Sequence, residues 1–142
     1  MRKKPLLALL LLLSCNTASA NYIAQPSELH ISADHICRAD IGFVSLVAER
    51  IYKETGEFAD KETIINDIKN HNVFIDDEFY EIAEENMVIY SNDDYLAISY
   101  PCNMVSVLKL GNGNLTLVQE KEILSNVGLS PDAEIVVRHV TK

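Results

Sequence analysis

Beyond residue 20 the chain contains two cysteines, Cys37 and Cys102, and no other feature limits so sharply what it can fold into. In an oxidising compartment such thiols most simply pair. The bridge would close a loop of 66 residues, both cysteines included, and in the chain-entropy model that closure stabilises a fold by about 4 kcal/mol. It also requires the surroundings of residues 37 and 102 to meet in space. A catalytic or metal-binding thiol is the competing use, and the compartment argues against it.

That compartment is read from the first twenty residues. Arg2, Lys3 and Lys4 precede an unbroken apolar run from Leu6 to Leu13, the charge and length pattern of an export signal. The run is too short to cross a bilayer, which takes roughly 20 apolar residues. Ala18 and Ala20 form an A-x-A site, so cleavage after Ala20 would leave a chain beginning at Asn21. An alternative ending lies inside the same stretch. Leu12-Leu13-Ser14-Cys15 resembles the lipobox of bacterial lipoproteins, which implies acylation of Cys15 and a lipid-anchored envelope protein. Leu13 is larger than the residue usual at its position. The number of folded thiols is the same either way.

Cleavage leaves residues 21–142, a single domain by length, with 21–31 expected as a loose lead-in and 32–142 as the globular part. The leader holds three of the twelve basic residues and none of the 21 acids, so its loss takes the net charge from −9 to −12. Nucleic acid and anionic membrane surfaces both call for a basic patch and are disfavoured as partners. A basic protein is favoured. The acids are also unevenly placed: between Asn70 and Leu108 there is no Lys or Arg, while Asp76, Asp77, Glu78, Glu81, Glu84, Glu85, Asp93 and Asp94 all fall there.

Helical periodicity comes first along the chain. Ser32 is a good N-cap with Asp34 in the first turn, and Cys37, Ile41, Val44, Ala48 and Ile51 recur on one stripe, widened by Ile36, Phe43 and Val47. Gly56 stands past the last turn. A second, shorter helix is expected near Asp60 with Ile64, Ile65 and Ile68 on its apolar face. Residues 76–86 fit a strand or a helix equally. From Met87 the period shortens to two, with strands expected at 87–90, 95–100, 104–110, 115–120 and 135–140. "IYSNDDYL" predicts a hairpin with Ser91 to Asp94 at its tip. "LKLGNGNLTL" predicts another, in which Asn112-Gly113 turns the chain and pairs Leu110 with Leu115. The expected class is α+β: two N-terminal helices packed on a small antiparallel β-sheet and pinned to it by one disulfide.

Chemical motifs are sparse. His30, Asp34 and His35 lack the fourth ligand and the H-E-x-x-H or C-x-x-C spacing of a zinc site, and the acidic stretch lacks the D-x-D-x-D-G spacing of a calcium loop. His71 and His139 stand alone, and no serine sits in a G-x-S-x-G turn. The glycines of "GNGN" turn a hairpin rather than open a helix, and Asn114-Leu115-Thr116 is a sequon too common to carry weight. No metal, cofactor or catalytic set is expected.

What remains is a surface. Tyr80, Tyr90, Tyr95 and Tyr100 are interleaved with the acids of the segment that lacks basic residues. Acids steer a cationic protein inward and tyrosines offer contact area at small entropic cost. Asp76, Asp77, Glu78, Tyr90, Asp93, Asp94 and Tyr95 are therefore the expected partner-binding residues. The function expected is a small acidic exported protein, of the inhibitor or immunity type, that masks a basic partner in the envelope. An accessory envelope lipoprotein is the alternative.

Overall fold

Pro26 opens the first helix, α1 (Pro26–Thr55), in a computed structural model that describes residues 26–71 and 75–141, with side chains from Cys37 onward. The expected leader, cleavage at Ala20–Asn21 and lipidation at Cys15 lie outside the described residues. The helix starts six residues before the expected cap, so Ser32 lies inside it and the segment 26–31 is helical rather than a loose lead-in. Proline suits a first turn because its missing N–H has no intrahelical acceptor there, and that signal outweighs a serine further on. Everything described below belongs to the compact unit Asp34–Lys142.

The stripe on α1 packs as its spacing predicts: Cys37, Ile41, Val44, Val47, Ala48 and Ile51 are all buried. Ser45, which falls outside that stripe, is buried too and shares a 2.7 Å hydrogen bond with Ser106 of the sheet. Gly56 ends the helix in the left-handed region (φ 79°), its N–H donating to the Tyr52 carbonyl at 2.7 Å. Helix α2 (Lys61–His71) is capped by Asp60, whose carboxylate accepts from Thr63 N–H at 2.8 Å, and it buries Ile64, Ile65 and Ile68. Residues 77–86 form a third helix, α3 (Asp77–Asn86), with Asp76 as its cap.

Four strands follow: β1 (Val88–Ser91), β2 (Tyr95–Ser99), β3 (Met104–Leu110) and β4 (Glu134–Val140), in the order β1-β2-β3-β4. The β1–β2 hairpin forms as the sequence predicts, with Ser91 opposite Leu96. The second expected hairpin does not. Gly111 (φ 80°) turns the chain out of β3, and a fourth helix, α4 (Leu117–Val127), separates β3 from β4, which run parallel. Leu115 and Leu117 therefore never pair with β3, and the sheet is mixed rather than antiparallel. The cause is legible locally: Thr116 and Gln119 form a capping box, with reciprocal bonds of 3.1 and 2.9 Å, and Gly128 closes the helix in the left-handed region.

This crossover gives the sheet a second layer. The helices α1, α2 and α3 cover one face, against Leu96, Ile98, Met104, Leu108 and Val140. Helix α4 covers the other, its Ile123, Leu124 and Val127 packing with Tyr95, Ala97, Val105 and Val107. Strand β2 is consequently buried at every residue, as strands covered on both faces are. Cys37 and Cys102 form the expected disulfide, joining α1 to the β2–β3 connection.

Candidate functional site

The acids of α3 are held by helix physics. Asp76 takes an extended cap conformation and accepts from Phe79 N–H at 3.1 Å, while Asp77 and Glu78 occupy the first turn, where the helix dipole favours negative charge. At the other end the Lys61 ammonium donates to the Glu84 and Met87 carbonyls at 2.7 and 2.9 Å and complements the negative pole.

Phe79 anchors this turn in the core. Its ring lies 6.0 Å from Phe43 of α1 and 6.3 Å from Tyr100, which follows β2. One turn before Phe43, Asp40 faces the α3 carboxylates. Burial, then Asp76, then Glu78 raise its carboxyl above the ordinary 3.8. Tyr100 is 3 % exposed and its hydroxyl has no hydrogen-bond partner. Burial and the Asp40 carboxylate push that phenol upward.

The disulfide frames the same corner. Cys37 lies one turn before Asp40, and the segment leading to Cys102 is tightly turned, with Cys102 N–H donating to the Tyr100 carbonyl at 2.6 Å. Among the described residues none of Asp40, Asp76 and Glu78 forms an ion pair, whereas Glu49, Glu54, Asp67, Glu84 and Glu134 all do. The corner thus gathers three carboxylates that form no ion pair, a setting that attracts an ammonium or guanidinium group, while the Tyr100 hydroxyl lies buried beneath them, out of a partner's reach.

The other expected site residues sit elsewhere. Asp93 and Asp94 are exposed at the β1–β2 tip, where the Asn92 side chain accepts from Asp94 and Tyr95 N–H at 2.9 and 3.1 Å. Tip and corner flank opposite ends of β2, about 17 Å apart at the rise of an extended strand. Tyr90 and Tyr95 lie on the α4 face, their rings 6.1 Å apart. Tyr95 is fully buried and its hydroxyl donates to Glu122, so it cannot be a partner contact. The expectation fails there because residues 117–127, expected to begin as a strand, form the helix that covers this face. Tyr80 is occupied by the Lys69 ammonium, 5.3 Å above its ring. Asp40 and Tyr100 join the site only through tertiary packing; neither carries a local signal for it.

The histidines offer little chemistry. His71 Nδ1 lies 2.9 Å from the Asp67 carbonyl and His139 Nδ1 2.9 Å from that of Gly111, both at the surface. The side chains of His30, Asp34 and His35 lie outside the described ones. Among the described residues no group of three or more His, Cys, Asp or Glu is arranged to hold a metal, and no helix is long and apolar enough to cross a membrane.

Two substitutions probe the corner. An acid whose folded-state pKa is raised opposes folding when ionised, and stability then grows as pH falls through the folded value toward the unfolded one. Asp40→Asn is therefore expected to raise Tm at neutral pH, an advantage that shrinks as the solution enters the carboxylate range. Tyr100→Phe is expected to stabilise by about 1 kcal/mol in urea unfolding, because it removes a buried hydroxyl that bonds to nothing. Losses in both would mean that the corner is already satisfied within the chain.

Comparison with protein-family models, with curated proteins and with solved structures finds no match to this chain, so its functional argument rests on its own side chains.

Proposed function

We propose that this is a small acidic exported protein, periplasmic or secreted, that masks a basic partner in the envelope in the manner of an inhibitor or immunity protein. The observation that carries the proposal is the corner of Asp40, Asp76 and Glu78, whose carboxylates form no ion pair among the described residues, Asp76 and Glu78 lying on a segment without Lys or Arg. A surface of one sign raises the encounter rate with a partner of the other and rejects like-charged competitors. The disulfide agrees with export, since such bridges persist in oxidising compartments.

The test begins with capture from an envelope extract at low salt and elution by salt. The eluted protein is then titrated against wild type and charge-reversed variants. A basic protein binding 1:1 is expected. Raising salt from about 0.05 to about 0.5 M should weaken binding at least tenfold, and Asp76→Lys with Glu78→Lys should do the same. The Asp93→Lys/Asp94→Lys pair, at the far end of β2, should cost less. Recovery of no basic protein, or of one indifferent to both salt and the α3 reversal, would overturn the proposal.

A further inference from the structure

Among the described residues the strand order leaves β4 at an edge, and its backbone parity says which groups face outward. Glu134 N–H donates to the Asn103 carbonyl at 3.1 Å, and the Val140 carbonyl accepts from Gly111 N–H at 3.2 Å. The even-numbered residues of β4 thus spend their backbone groups on β3, and Ile135, Val137 and His139 turn theirs to the open side. Natural edges are usually blunted by proline, bulges, shortness or charge. Strand β4 has seven residues, neither Pro nor Gly, and an unbroken register with β3. Its charges are the one guard, and they are placed symmetrically: Glu134 two residues before Val136, Arg138 two residues after it.

We infer that β4 is the contact strand of a two-fold dimer, in which a second copy of this chain adds its own β4 antiparallel to the first, centred on Val136. In that register Glu134 lies opposite Arg138 of the partner subunit and Ile135 opposite Val137 of the partner subunit, while the two Val136 side chains meet on the axis. The Ile135 and Val137 pairs exchange backbone hydrogen bonds both ways, because both residues face outward. The even residues form non-hydrogen-bonded pairs, whose side chains approach most closely.

Neighbouring registers fare worse. Centring on Val137 leaves Glu134 opposite Val140 of the partner subunit, and centring on Ile135 leaves it opposite Val136 of the partner subunit; neither supplies it with a cation. A slip by one residue would set outward-facing groups against groups already spent on β3.

The side chains around the strand fit the same register. Val136 is 41 % exposed, large for a valine in a strand, and Ile135 and Val137 are half-buried at the rim of the α4-side core, which a second strand would extend. Within the chain Glu134 pairs with Arg38, and Arg138 with Glu49 at 2.5 Å. Across the axis the charges then run Arg38, Glu134, Arg138 of the partner subunit, Glu49 of the partner subunit, alternating in sign throughout. Such networks contribute more than isolated surface pairs.

A single strand pair buries less than a standard interface, so a dissociation constant between about 10 µM and about 1 mM is expected. Two acidic chains also repel at low salt, so sedimentation equilibrium is best run near 0.15 M, where the Debye length is about 8 Å. The mass should rise from one protomer toward two with concentration, and Val136→Lys should weaken the dimer at least tenfold while leaving Tm unchanged. As a second measurement, Val136→Cys in a Cys15→Ser chain should form a bridged dimer in air, since non-hydrogen-bonded partners lie about 4.5 Å apart at Cα, within disulfide reach. Leu46→Cys, on the exposed side of α1, should not. A protein monomeric up to about 1 mM, a dimer indifferent to Val136→Lys, or equal bridging by the two cysteine variants would overturn the inference.

Discussion

Replacing Cys37 and Cys102 together by alanine is expected to cost about 4 kcal/mol of stability. The bridge spans 65 positions, so the unbridged unfolded chain gains nearly the full entropy of an open loop of that length. Small domains hold only about 5 to 15 kcal/mol in total, and a loss of this size should lower Tm by about 15 °C. Urea unfolding checks the mechanism as well as the size. Because the effect lies in the unfolded ensemble, the double variant should show a steeper denaturant dependence, reflecting a more expanded unfolded chain. An unchanged Tm under reducing and oxidising conditions would mean that the two thiols are not joined.

Tyr95→Ala is the second large effect, expected at about 3 to 5 kcal/mol, as for other large aromatic residues deleted from a core. Tyr95, the first residue of β2, is fully buried beneath α4. Its hydroxyl donates to Glu122, and burial together with that carboxylate holds the phenol above its ordinary range. Tyr95→Phe keeps the packing and loses one hydrogen bond, so about 1 kcal/mol is expected. Both values are read from urea unfolding. Affinity for a basic partner should be untouched by Tyr95→Phe, whereas a partner-contacting tyrosine would show the reverse, weak binding with normal stability.

The two mistaken expectations about the second half of the chain share one origin. Leu115, Leu117 and the Asn112-Gly113 pair match a hairpin in every local respect, and period-two spacing argues for a strand. The T-x-x-Q capping box at Thr116 and Gln119 argues for a helix start, and it wins because α4 can then bury Ile123, Leu124 and Val127 on a sheet face that would otherwise stay wet. Once α4 is in place, β4 can pair parallel to β3 and Tyr95 becomes core. The cap at Thr116 thus underlies both a mixed rather than antiparallel sheet and the place of Tyr95 in the packing.

The acids divide in a similar way. Their sequence neighbourhood suggested one surface, yet α3 carries Asp76 and Glu78 to the corner beside Tyr100 while the β1–β2 hairpin carries Asp93 and Asp94 toward the other end of β2. No local pattern encodes that split, because it depends on where a helix and a hairpin point after packing. Asp40 is the clearest case. It lies outside the apolar stripe of α1, and only the arrival of α3 makes it a third carboxylate in the corner.

Periodicity, turn residues and cysteine arithmetic are local or pairwise properties, and by themselves they determined the buried stripe on α1, helix α2, the β1–β2 hairpin, the bridge and the acidic balance. The choice of the α4 crossover over the hairpin that the same stretch also signals, the burial of Tyr95, the corner of Asp40, Asp76, Glu78 and Tyr100, and the edge at Val136 were decided by the tertiary structure. Each depends on which apolar face covers which, a comparison of whole packed arrangements whose free energies no single stretch of chain contains.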